Sequence, residues 1–107
     1  MRSEVQMRPS PWPDLTTLFE PIDQYIASFS MPHVPEGQKA IIRFTNGYGV
    51  EIFKYPDADF FEMTVIRFIE KGRADYEFAF NTPIPDLSLG SRDEDILRFC
   101  DQVSRLK

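Results

Sequence analysis

The sequence predicts a single small α+β domain: a four-stranded, mostly antiparallel sheet backed by a C-terminal helix, with a bent N-terminal helix packed beside it. Three observations predict it. Asn46-Gly47 stands between two apolar runs, the strongest short-range hairpin signal. A second pair of runs flanks Lys71-Gly72-Arg73, and an acidic-start apolar stripe closes the chain. At 107 residues there is enough chain for one core and too little for two. Residues 1–13 are expected as a flexible proline-rich arm and residues 14–107 as the domain, with the sheet and C-terminal helix in 38–107.

Pro9, Pro11 and Pro13 around Trp12 favour extended backbone over helix or paired strand. Trp12 either folds back onto the domain or serves as a partner anchor. From Asp14, a plausible N-cap, the residues Leu15, Leu18, Phe19, Ile22, Tyr25, Ile26 and Phe29 recur at helical spacing. Pro21 interrupts them, and an interior proline costs about 3 kcal/mol, so two short helices or one bent helix are expected there. The segment 30–37, with Pro32, His33 and Pro35, reads as a linker.

Strands are expected near 39–44, 50–55, 60–69 and 74–81. A loop from Thr45 to Gly49 sets Ile42 against Ile52, Phe44 against Val50 and Arg43 against Glu51. Closing the second hairpin on Lys71-Gly72-Arg73 pairs Phe68 with Tyr76, Ile66 with Phe78, Thr64 with Phe80 and Arg67 with Glu77. The face carrying Ile66, Phe68, Tyr76, Phe78 and Phe80 is then the expected core face. Pro83 and Pro85 lack the donor a ladder needs, so the chain leaves the sheet there. Ser91 and Glu94 fit a capping box for a helix over 92–106, whose stripe is Ile96, Phe99, Cys100, Val103 and Leu106.

Charge and composition narrow the function. A net charge of −5 with no basic stripe repels a phosphate backbone and argues against nucleic acid. One cysteine excludes an internal disulfide and fits a reducing cytoplasm, while no apolar stretch of signal or spanning length argues against secretion and membrane insertion. His33 has no second ligand at metal spacing, and Cys100 lies on an apolar stripe, so neither reads as catalytic. Asn46-Gly47-Tyr48-Gly49 lacks the lysine of a phosphate loop and precedes a strand. Asp57 and Asp59 lack the remaining ligands of a calcium loop. No cofactor, metal or enzyme motif emerges. The adjacent Phe60 and Phe61 point to opposite faces of a strand, so one ring falls away from the core. That ring beside Tyr55, Asp57 and Asp59, with Tyr48 at the hairpin tip and Trp12 in the arm, makes up the expected partner-binding set.

The run Phe44-Thr-Asn-Gly-Tyr-Gly-Val50, then Phe61-Glu-Met-Thr-Val-Ile66, then Tyr76-Glu-Phe-Ala-Phe-Asn-Thr-Pro-Ile-Pro-Asp86 with Gly90 and the acidic-start helix, resembles small bacteriophage and prophage proteins of uncharacterised function. The similarity covers about residues 40–106 and carries no catalytic residues. It implies a phage accessory protein in a bacterial cytoplasm that binds a host or defence protein. The reading that follows is a non-enzymatic protein-binding module. Its alternatives are a nucleic-acid-associated protein, with sheet aromatics for stacking and Arg43 and Arg67 on phosphate, and a homodimer subunit paired through its edge strands.

Overall fold

The computed structural model describes residues 12–70, 75–85 and 87–107. Most of the arm expected over 1–13, and the turn at Lys71-Gly72-Arg73, lie outside those residues. The elements run α1 (Leu15–Leu18), a 3₁₀ turn (Glu20–Tyr25), β1 (Ile26–Ser30), β2 (His33–Val34), β3 (Gly37–Phe44), β4 (Tyr48–Lys54), β5 (Phe61–Phe68), β6 (Tyr76–Phe78), β7 (Ser88–Gly90) and α2 (Asp93–Ser104). The fold is α+β with an antiparallel sheet of order β1-β3-β4-β5-β6; β2 also pairs with β3, and β7 with β5. Among the described residues the sheet therefore has seven strands rather than the expected four.

At the N-terminus Asp14 caps α1: the Thr17 hydroxyl donates to its carboxylate at 2.9 Å and the Thr17 amide at 3.4 Å. Pro21 enters near the start of the 3₁₀ turn, where its missing donor does no harm. The expected bent helix stops at Tyr25, and residues 26–30 form a strand instead. Ile26 and Phe29, three apart, suit a helix, and a bulge between Ile26 and Ser28 is what sets both on the same face of the strand. The open flank of β3 offers a ladder that a helix ending before Pro32 cannot match.

The first hairpin closes on three residues, Thr45-Asn46-Gly47, with Gly47 at φ +89°. A left-handed third residue makes this loop length possible. Ile42 therefore pairs with Val50, Ala40 with Ile52, Ile41 with Glu51 and Arg43 with Gly49. The shift of two from the expected register keeps every side chain on its face and removes the Arg43–Glu51 pair. Gly49 has no room for a side chain, since a Cβ there would lie 2.2 Å from the Ile42 carbonyl oxygen.

In the second hairpin Phe68 pairs with Tyr76, Arg67 with Glu77 and Ile66 with Phe78, as the sequence predicts. β6 ends at Phe78, so no ladder pair joins Thr64 to Phe80, although the Ala79 amide still donates to the Val65 carbonyl at 3.0 Å. The core face is the opposite one to that expected. Val50 stands against Val65 and Ile52 against Met63, so the odd residues of β5 join the aliphatic face of the first hairpin. Both sides of β5 are apolar, and only this inter-hairpin register decides between them.

β7 is a further departure. After Pro83-Ile84-Pro85 the chain returns to pair Gly90 with Phe61. Ile84 plugs the core, and a Cβ on Gly90 would lie 2.6 Å from Asp95 Cβ, so the strand turns directly into α2. Asp95, not Glu94, accepts from the amides of Ser91 and Arg92 at 3.2 and 3.1 Å, placing the cap one residue later than the expected box. Ile96, Phe99, Cys100 and Val103 of α2 then cover Ala40, Ile42, Val50, Ile52, Met63 and Val65. Trp12, Leu15, Phe19 and Ile22 close the same core.

Asn46 joins the hairpin to the helix. Its amide donates to the carbonyls of Val103 and Leu106, each at 2.9 Å, while its side-chain oxygen accepts from the Tyr48 amide at 3.0 Å. One side chain thus reaches a carbonyl in the last turn of α2 and another just beyond its end. Asn46→Ala should lower stability by about 2 kcal/mol, the loss of three part-buried hydrogen bonds, in urea unfolding monitored by circular dichroism. A change within about 0.5 kcal/mol, the range of ordinary surface substitutions, would show that the bridge contributes nothing net.

Candidate functional site

With α1, the 3₁₀ turn and α2 all on one side, the sheet presents its other face without a helix on it among the described residues. Alternation along each strand sends Lys39, Ile41 and Arg43 to this open face, with Glu51 and Phe53 from β4, Ile66 and Phe68 from β5, and Tyr76 and Phe78 from β6. Ile66 is fully buried even so, covered by its own face.

The face is organised around Gly49. Its missing side chain admits the Phe68 ring, whose Cε2 would lie 2.9 Å from a Cβ there. The Arg43 guanidinium stacks over that ring at 4.5 Å from its centroid and also donates to the Glu70 carbonyl at 3.4 Å. Tyr76 meets Phe68 edge-on, with centroids 5.7 Å apart and planes at 61°. Its hydroxyl donates to Glu51 Oε2 at 2.5 Å, and Lys39 Nζ lies 3.6 Å from the same oxygen. Lys39, Glu51, Tyr76, Phe68 and Arg43 thus form one chain of contacts across four strands. Partial burial, and then the bond to the Glu51 carboxylate, push the Tyr76 phenol well above its ordinary value.

Toward the other end of β4, Phe53 and Tyr55 pack edge-on at 4.6 Å. They border a shallow depression of about 290 Å³ that Glu36, Lys39, Glu51 and Glu62 also line. The following turn is closed by Lys54, whose ammonium donates to the carbonyls of Ala58 at 2.7 Å and Tyr55 at 3.3 Å.

Of the sequence-predicted residues, Tyr55, Asp57, Asp59 and Phe60 gather at this β4–β5 connection; Tyr55 is 45% exposed, both aspartates are exposed and Phe60 is half-buried. Tyr48 belongs elsewhere. It sits seven residues away at the opposite end of β4, about 23 Å along the strand, half-buried against the core. There it lines a 210 Å³ cleft with Phe78, Phe80 and the Arg67–Glu77 ion pair. Trp12 is buried, its ring 4.9 Å from that of Phe61, so it folds back onto the domain. The sequence reading missed the Glu51–Tyr76 bond and the Arg43–Phe68 stack. Both depend on Gly49 facing Arg43, for which the second glycine of Asn46-Gly47-Tyr48-Gly49 was the available signal.

The one cysteine and the one histidine of the chain occupy unlike positions. Cys100 is fully buried, and burial pushes its thiol well above the ordinary value, away from the reactive thiolate. His33 is exposed on the two-residue β2. Among the described residues no three His, Cys, Asp or Glu side chains cluster to hold a metal, and no helix is long and apolar enough to cross a membrane. Compared with protein-family models, curated proteins and solved structures, the chain matches none of them.

The raised Tyr76 phenol has a pH consequence. Because the folded protein holds this proton more tightly than the unfolded chain, its stabilising contribution is complete below the ordinary tyrosine value of 10.0 and falls away as pH rises above it. Alkaline titration followed by tyrosinate absorbance should show Tyr76 keeping its proton until the fold opens. Tyr76→Phe should abolish that late step and flatten the alkaline loss of stability. An unchanged titration in the variant would refute the assignment.

Proposed function

We propose that this chain is a non-enzymatic protein-binding module, a phage- or prophage-encoded accessory protein that occludes the surface of a host or defence protein in the bacterial cytoplasm. The observation that carries this reading is the open sheet face. Tyr55 is 45%, Phe78 47% and Leu89 58% exposed on or beside it, around a hydrogen-bonded, pre-packed centre. Exposed aromatics on a rigid platform are what a protein partner uses as anchors, because large rings bury much area at little entropic cost. Glu36 and Glu62 near Tyr55, with Glu51 already engaged by Lys39, leave that end of the face with an acidic excess, which favours a partner with basic residues there. The buried thiol and isolated histidine leave little for catalysis to use. The resemblance of residues 40–106 to phage proteins supplies the cellular context.

One observation favours a second reading, single-stranded nucleic acid stacked on the sheet aromatics. Arg43 faces Gly49 rather than a glutamate and already lies over the Phe68 ring. Against it stand the Arg67–Glu77 pair and the net charge of −5.

The immobilised protein should enrich one bacterial protein from host lysate, and the double variant Tyr55→Ala, Phe78→Ala should lose at least nine-tenths of it while retaining its fold by circular dichroism. Enrichment that is absent in the native chain, or undiminished in the double variant, would remove the reading. Binding of single-stranded oligonucleotides at low salt that Arg43→Ala abolishes would favour the alternative.

A further inference from the structure

The two edges of the sheet are protected very differently. β6 is three residues long, has Glu77 at its centre engaged by Arg67, and follows Asp75. Short, charged edges resist further pairing. β1 is the opposite case: from Ile26 to Pro32 there is no charged residue in a chain that is 27% charged. Ala27, Ser28, Phe29, Ser30 and Met31 are all exposed, Phe29 at 43% and Met31 at 47%. Its inner side is laddered to β3, and among the described residues no strand takes its outer side. Its protective devices are a bulge between Ile26 and Ser28 and Pro32 beyond its end, which together confine a further ladder to the stretch between them.

We infer that β1 is a dimerisation edge, and that its occupant is β1 of a second copy of this chain, paired antiparallel about a twofold axis through Phe29. The strand is complementary to itself. In that register Phe29 meets Phe29 of the second copy on the side that carries Ile42. Ser28 meets Ser30 on the open face, beside Arg43 and Ile41. No like charges are brought together, although each chain carries −5. A foreign strand has less to recognise here, because nothing along Ile26–Pro32 offers a charge to read. An isologous edge-to-edge contact closes after two copies, which suits a sheet whose other edge is protected. The two open faces become continuous across the axis, so a partner with repeated sites is engaged twice.

Light scattering over a concentration series should give twice the chain mass for the native protein. Phe29→Lys and Ser30→Lys should each weaken dimerisation at least tenfold, while Phe78→Lys at the opposite edge leaves it unchanged. Amide exchange at Ser28–Met31 should slow as the native protein is concentrated, a readout that stands even if a lysine variant fails to fold. The inference is overturned by chain mass at every concentration, by dimers that survive both β1 substitutions, or by dimers lost through Phe78→Lys instead. Lysate capture uses the Tyr55 and Phe78 variants, so loss of the dimer and loss of the binding partner are separately detected.

Discussion

The architecture turns on where α2 ends. Helix α2 could lie on either side of a sheet whose fifth strand is apolar on both faces. The Asn46 side chain settles the matter by holding the Val103 and Leu106 carbonyls to the β3–β4 turn. With that end fixed and Asp95 capping the other against the exit of β7, the helix is pinned at both termini. Its stripe has one surface to cover, the aliphatic one formed by Ala40, Ile42, Val50, Ile52, Met63 and Val65. Residues 103 and 106 are more than fifty positions from Asn46, so the bridge also joins the first hairpin to the last segment of the chain.

Burying the aliphatic side leaves the aromatic side to stabilise itself. Gly49 gives Phe68 a place to lie flat, Arg43 covers the ring, and Tyr76 closes the row by donating to Glu51. Each such contact is worth only about 0.5–1.5 kcal/mol at a partly exposed site. Their joint effect is geometric, since side chains from four strands are held in one arrangement and Ile66 beneath them is sealed from water. A surface ordered in advance loses less entropy on binding, which links this packing to the proposed docking role.

Local chemistry was legible in the sequence. The Asn46-Gly47 turn, the Phe68–Tyr76 register, the exit at Pro83 and the stripe of α2 all follow from residues close together in the chain. Long-range choices were not. Apolar residues at 61, 63 and 65 compete with those at 66 and 68 for the core, and only the β4–β5 register separates them. Ile26 and Phe29, three apart, keep helical spacing and share a strand face only through the bulge between Ile26 and Ser28, and Ser88–Gly90 is too short to announce itself as a strand. The candidate site divides in the same way. The cluster of Tyr55, Asp57, Asp59 and Phe60 is local in the chain, whereas Tyr48, at the hairpin tip, lies at the other end of β4 from it. The Arg43–Phe68–Tyr76–Glu51 network spans the four strands β3 to β6 and needs the assembled sheet to exist.

The most direct measurement is a methyl and aromatic NOESY spectrum of the protein in solution. The account predicts cross-peaks from Ile96, Phe99 and Val103 to Ile42, Val50 and Met63, with none from α2 to Phe68, Tyr76 or Phe78. Cross-peaks joining α2 to the Phe68–Tyr76 side would place the helix on the opposite face and contradict it.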